Sequence, residues 1–403
     1  MSTSTVHTRA AATEKPPERV ITFGDVFGRD AGGLIVLLVL FGAMTLASSE
    51  FLTGDNMANL ARQVAIFGII AVGQLLVILT AGIDLSVGSV LGLTGCVTAE
   101  LLVHGNPVWL ALVFGLVVGA GIGVFNGALV AYVKLPPFIV TLGMLGIARG
   151  VVLVLTDAST VQPLPDSFGN IANGDLLGLP NLLWLFALVV VTASLVLRRT
   201  VFGRYVYAIG SNPESARLAG VPVTAVLIAV YAIAGLLAAV GGVLFASRLN
   251  AGIPTAGTGY ELNAIAACVI GGASLFGAKG GAFGAAAGAL IVATLNNGGN
   301  LLAVNAFYLQ IIIGALILVA VAFDQWQSRR SASGARPGHA ARWGCARRHV
   351  RTGRRGRCRR GRGRLCRAGG RPDSAVCRPA ASASRSRRWS RSSPRRRARP
   401  GSR

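Results

Sequence analysis

Ten apolar runs, each long enough or nearly long enough to cross a lipid bilayer, follow one another along this chain. They lie at about 31–47, 60–81, 86–103, 107–132, 138–156, 181–197, 223–246, 262–277, 280–298 and 306–323. A crossing helix needs about 20 predominantly apolar residues. Lipid offers no partner to a backbone N–H or C=O, so a crossing segment must be a helix or part of a closed barrel. Unbroken runs of this length favour helices, and those at 86–103 and 262–277 are the short ones. The expectation is an all-α integral membrane protein of about ten transmembrane helices.

Composition agrees once it is divided. Charged residues make up 13% of the chain, about half of what a soluble domain carries. The formal charge of +24 is not spread evenly. Up to Ser328 there are 13 Lys and Arg against 14 Asp and Glu, whereas residues 329–403 hold 26 Arg and one acid, Asp373. A nearly neutral membrane body therefore precedes a very basic tail. The organisation expected is a cytoplasmic segment 1–30, a transmembrane domain 31–327 and a tail 328–403.

Loop charge predicts orientation. With Arg9, Lys15, Arg19 and Arg29 inside the cell, ten crossings also put Lys134, Arg198, Arg199, Arg204, Arg217 and Lys279 inside. The long loop 157–180, which has no Lys or Arg, falls outside. Cationic loops remain on the cytoplasmic side, so both termini are expected there, with Arg248 as the main exception. No basic stretch followed by an apolar core starts at Met1, so no cleaved signal peptide is expected.

Two glycine ladders stand out: Gly115, Gly119, Gly123 and Gly127, then Gly280, Gly284 and Gly288. Spacing by four puts glycines on one helix face and lets helices approach closely. Tight packing alone accounts for them. A sharper reading is that they mark two related halves, the first ladder ending at Asn126-Gly127 and the second followed by Asn296, Asn297 and Gly298. Each half would hold a short, glycine-interrupted crossing, a pattern that points to a site near the bilayer midplane.

Two polar motifs interrupt the apolar pattern. In TAGIDLSVGS, Asp84 stands between two runs with Gly82, Ser86 and Gly88 around it. Its carboxylate suits the cap of a helix starting at about Leu85. The alternative is that this break lines a translocation path or gate, because an ionisable group at membrane depth is a functional candidate. The second motif, RRTVFGRYVYAIGSNPESARLAGVP, spans Arg198 to Pro222. It predicts a very short helix with Asn212 as N-cap, Pro213 at the first position, Glu214 in the first turn, Arg217 toward the last turn and Gly220 as terminator. Two turns are marginal alone. Such a helix either merely connects two crossings or packs on a cytoplasmic partner.

The strings GIDLSVGS, FGRYVYAIGSNPESARLAG and ACVIGGASLFGAKG, in this order, closely resemble the ribose/xylose-type permeases of bacterial ABC sugar importers, over about Asn56 to Asp324. The resemblance implies an all-helical permease of the inner membrane that moves a monosaccharide or related polyol by alternating access. It implies a second permease copy, identical or homologous, a pair of ATPase subunits and an external sugar-binding protein. Asn212 to Gly220, with Arg204 before it, then resembles the coupling element that docks on the ATPase. Ala278 departs from the glycine that relatives often carry before the lysine.

No enzymatic machinery is expected. GGASLFGAKGG superficially suggests a phosphate loop, yet Gly277 is followed by Ala278-Lys279-Gly280 and not by Gly-Lys-Ser/Thr. The chain is expected to bind no cofactor and no metal, with ATP and Mg on the partner ATPase; the cysteine spacing matches no zinc pattern. Lipid is the surrounding partner and nucleic acid is not one. Alternatives are a branched-chain amino-acid permease, or an ion-coupled transporter using Asp84, Glu100 or Glu261 near the ends of crossings. The tail, rich in Arg, Ala, Gly, Ser and Pro, lacks the apolar clusters needed to fold. It reads as a dispensable disordered extension produced by out-of-frame translation of GC-rich DNA, the other reading being a real basic tail on anionic lipid or nucleic acid.

Overall fold

The computed structural model describes residues 23–333. The expectations for residues 1–22 and for the tail from 334 onward lie outside the described residues. Among those described, the chain is almost wholly helical: α1 Phe23–Ala47, α2 Gly54–Leu79, α3 Val87–Val103, α4 Val108–Ala131, α5 Pro137–Leu155, α6 Asp166–Asn173, α7 Asn181–Arg199, α8 Val201–Ser211, α9 Pro213–Leu218, α10 Val223–Leu249, α11 Tyr260–Ile270, α12 Ala282–Leu301 and α13 Ala306–Ser333. Two-residue strands, β1 Asp175–Leu176 and β2 Leu179–Pro180, form a small hairpin between α6 and α7. Proline stands at the N-cap of α4, α5, α6, α7 and α10. There its missing N–H leaves no stranded donor and its fixed φ breaks any continuation from the preceding segment.

The axis of the bundle is α2, in which every residue from Val64 to Leu79 is buried. A helix apolar all round has no face for water and belongs in a core. Helices α7, α10, α11 and α12 pack around it. By contrast α4 buries one stripe, Ala111, Gly115, Gly119, Gly123, Asn126 and Gly127, and turns Phe114, Val117 and Phe125 outward. Helix α5 likewise exposes Ile139, Ile147 and Val154. By length and composition, five helices can cross a membrane: α2, α4, α5, α7 and α10. The apolar parts of α1, α3, α11 and α13 are shorter.

The run at 262–277 is corrected. Its helix, α11, has 11 residues and is about 16 Å long, roughly half of a hydrocarbon core. The preceding segment 250–259 is not helical. Pro254 lies in it, and Asn250, Gly257 and Gly259 all take positive φ, of 51°, 74° and 83°. This segment lies along α3, with Gly252 against Ala99 and Cys96 and Gly257 against the Gly88 carbonyl. At the far end of α11 the chain turns at Gly271 and Gly272, the latter at φ +86°. The last helix also continues to Ser333, past the compositional boundary at residue 328.

The first ladder lies where α4 crosses α10 and α3. A Cβ on Gly119 would stand 2.7 Å from the Gly235 carbonyl oxygen, and one on Gly123 would stand 2.9 Å from the Ala232 Cα. Gly127 similarly abuts Ile228, and Gly115 abuts Thr98. In the second group, Gly284 faces the Gly271 carbonyl and Gly288 the Ala267 carbonyl. Gly280 is corrected: it precedes α12 and sits at φ +135°, so it serves the turn and is not part of a helix face.

Candidate functional site

The loop between α2 and α3 is built by its caps. At the end of α2 the Thr80 hydroxyl and N–H both donate to Val77 O. Ala81 takes φ 61°, and a Cβ on Gly82 would sit 2.7 Å from the Tyr231 hydroxyl. Asp84, 2% exposed, accepts at Oδ1 from the Ser86 N–H (2.8 Å) and the Ser86 Oγ–H (2.6 Å). The helix therefore begins at Val87 with Ser86 as its N-cap, two residues later than the expected start at Leu85. The reason is local: the Asp84 carboxylate spends itself on the Ser86 N–H, forming a turn of Asx type that delays the first helical residue.

Three other helices and α2 itself hold this loop. From α4, Asn126 Nδ2 donates to Ser86 Oγ at 3.1 Å. From α5, Thr141 Oγ1 donates to Ile83 O at 3.1 Å. The Gln74 carboxamide of α2, in the orientation that satisfies both its ends, donates to Asp84 O at 3.0 Å and accepts from Asp84 N at 3.2 Å. Tyr231 of α10 places its hydroxyl against Gly82, and neither that hydroxyl nor Asn126 Oδ1 has a partner among the described residues. Gly88 abuts the Glu261 carboxylate and the Gly257 carbonyl, so the Asp84 loop and the broken segment before α11 meet at the start of α3. Gly82, Asp84, Ser86 and Gly88 are thus brought together. Gln74 and Tyr231 were missed by the sequence reading, although an amide inside the apolar run 60–81 was a usable signal.

Arg149 was missed as well. It is a lone cation inside α5, and Nη1 donates to Pro254 O (2.6 Å) and Ala256 O (3.0 Å) of the non-helical segment. Two carbonyls freed from helical pairing are satisfied by one guanidinium.

The second candidate element lies on the surface. Helix α8 is amphipathic, burying Gly203, Val206, Ile209 and Gly210. Asn212 Oδ1 accepts from the Ser215 N–H at 2.9 Å and Pro213 opens α9. Arg217 stands 3.7 Å from Glu214. Gly220, at φ +85°, and Val221 close the helix with N–H bonds to Arg217 O and Ala216 O. Arg204 is exposed, and α9 presents Leu218, 90% exposed, while burying only Ala216. Among the described residues nothing covers the leucine at the tip of this capped helix. Among the described residues no three His, Cys, Asp or Glu side chains converge as metal ligands.

Comparison with known proteins gives one consistent answer. A family model described as branched-chain amino acid transport system / permease component matches residues 56–321. The ribose import permease protein RbsC of Escherichia coli K12 is 44% identical over 295 residues, covering 72% of this chain and 92% of that protein. The D-allose transport system permease protein AlsC of the same organism is 38% identical over 326 residues, 81% of this chain and 99% of that protein. Its xylose transport system permease protein XylH is 38% identical, covering 74% of this chain and 91% of that protein. No solved structure matches the chain. The fold, the glycine-packed bundle and these matches together show that the chain belongs to the branched-chain amino acid transport system / permease component family and, within it, to the ribose/xylose-type permeases of ABC importers.

Proposed function

We propose that this chain is the membrane permease of an ABC importer that carries a monosaccharide or related polyol into a bacterial cell. The observation that carries this reading is that relatives named for ribose, allose and xylose import are 38–44% identical over more than nine-tenths of their own length. An amino-acid substrate, which the family description alone would allow, is not what these relatives are named for. The chain works with two ATPase subunits, an external binding protein and a second permease copy. Its crossings number about ten when α11 and the segment 250–259 are counted together as one. Both termini face the cytoplasm, where cationic loops are favoured.

The mechanism is alternating access. Closure of the ATPases on ATP pushes on α9, whose exposed Leu218 inserts into them, with Arg204, Asn212, Pro213, Glu214, Arg217 and Gly220 shaping the contact. The bundle rocks, and the loop of Gly82, Asp84, Ser86 and Gly88 acts as part of the path or gate. The broken crossing beside it supports this role, because irregular backbone at membrane depth is tolerated where it is buried in protein or lines a cavity.

A cysteine at Ser215 tests the docking. In a cysteine-free background it should be labelled by membrane-impermeant maleimide in inverted vesicles and should crosslink to the co-expressed ATPase. Labelling from the outside of intact cells would overturn both the orientation and the role.

A further inference from the structure

Resting on the ABC-permease reading above, we propose that Gly210 is the joint through which movement of α9 reaches the transport path. Three segments meet there through backbone alone. A Cβ on Gly210 would collide with Leu79 O, the last carbonyl of α2, and would stand 2.8 Å from Ala278 N. Those two atoms are bonded to each other, the Ala278 N–H donating to Leu79 O at 3.0 Å. Gly277, next in line, abuts the Gly210 carbonyl and Ala81. One turn earlier on α8, the Tyr207 hydroxyl donates to Gly280 O at 2.8 Å. Helix α8 leads directly into α9 through Asn212. Leu79 leads into the loop that carries Asp84, and residues 277–280 lie between α11 and α12. A push on α9 is therefore passed through α8 to the end of α2, which leads into the Asp84 loop, and to residues 277–280 between α11 and α12.

The backbone of the two loops held at the joint is also uncommon. Ala81 and Ala278, one on each loop held at the joint, take φ of 61° and 57°, a region that L-residues other than glycine seldom occupy. Coupling between distant sites can be carried by a contiguous packed route whose parts move as units. Backbone-to-backbone contact at Gly210 supplies one with no flexible side chain between.

The test uses the full assembly in proteoliposomes, with this chain, its ATPase and its binding protein, measuring sugar taken up per ATP hydrolysed. Gly210→Ala and Tyr207→Phe are compared with wild type at equal permease content. The account expects the ratio of transport to hydrolysis to fall about three- to thirty-fold, with basal ATPase activity kept. Tyr207→Phe removes one hydroxyl and leaves the backbone contact in place, so it should assemble and show the smaller fall; where Gly210→Ala fails to assemble, the Tyr207→Phe ratio alone decides, and a wild-type value there overturns the proposal. Wild-type ratios in both variants would overturn the proposal. So would a parallel loss of hydrolysis and transport in both, because that is the signature of plain misfolding. A wild-type assembly that hydrolyses ATP without moving any sugar would overturn the transport reading itself.

Discussion

Gly123→Leu should leave almost no folded protein in the membrane. The Cβ of any side chain at residue 123 meets the Tyr231 carbonyl and the Ala232 Cα at 2.9 Å, which are backbone atoms of α10. Backbone cannot rotate out of the way as a side chain can, so α4 and α10 must separate. Overpacking costs about 1–3 kcal/mol where neighbours can adjust, and this contact has fewer ways to adjust. Lipid gives nothing back, because a leucine is as comfortable against lipid tails as against another helix. Detergent-extracted, monodisperse protein should fall at least about ten-fold, read by size-exclusion chromatography of a fluorescent fusion. Gly121→Leu is the control: it lies on the same helix, a Cβ there has nothing within 4 Å, and its yield should match wild type.

Asp84→Ala should reduce uptake by about ten-fold or more at nearly unchanged protein level. The substitution strands the Ser86 N–H and frees the Ser86 hydroxyl, which now bond to Asp84 at 2.8 and 2.6 Å. Leaving a buried donor unpaired costs about 1–3 kcal/mol, less than the stability of most folded domains. The loop between α2 and α3 then loses its fixed turn, while Gln74 and Thr141 still hold the backbone at residues 83 and 84. Asp84→Asn retains an oxygen for both bonds and should recover most of the uptake if the turn matters and the charge does not. Loss of protein level alone, with transport per molecule intact, would mean that the residue only fixes the turn before α3.

Much of this architecture was legible in the sequence. Apolar runs became helices because no other element hides its backbone from lipid, and Pro107, Pro136, Pro180 and Pro222 punctuated them. The short helix between Asn212 and Gly220 could be read residue by residue, since capping is a local affair of side chain and neighbouring N–H. What escaped was decided by distant partners. The short, glycine-interrupted run at 262–277 announced an irregular crossing but not that its helix would hold only 11 residues; that depends on α3 accepting Gly252 and Gly257 against its backbone. Arg149 likewise acquires meaning only through the carbonyls of Pro254 and Ala256, more than a hundred residues away. Gly280 was misread because period four is also met by a turn glycine that happens to precede a helix.

ATP-dependent uptake is the most direct test of the central claim. Proteoliposomes holding this chain with its ATPase, supplied with the binding protein outside and ATP inside, should accumulate radiolabelled ribose, allose or xylose. Accumulation should cease when ATP is replaced by a non-hydrolysable analogue or when the ATPase is omitted. Uptake that continues without ATP on an imposed proton or sodium gradient, or accumulation of leucine with none of the three sugars, would contradict the account.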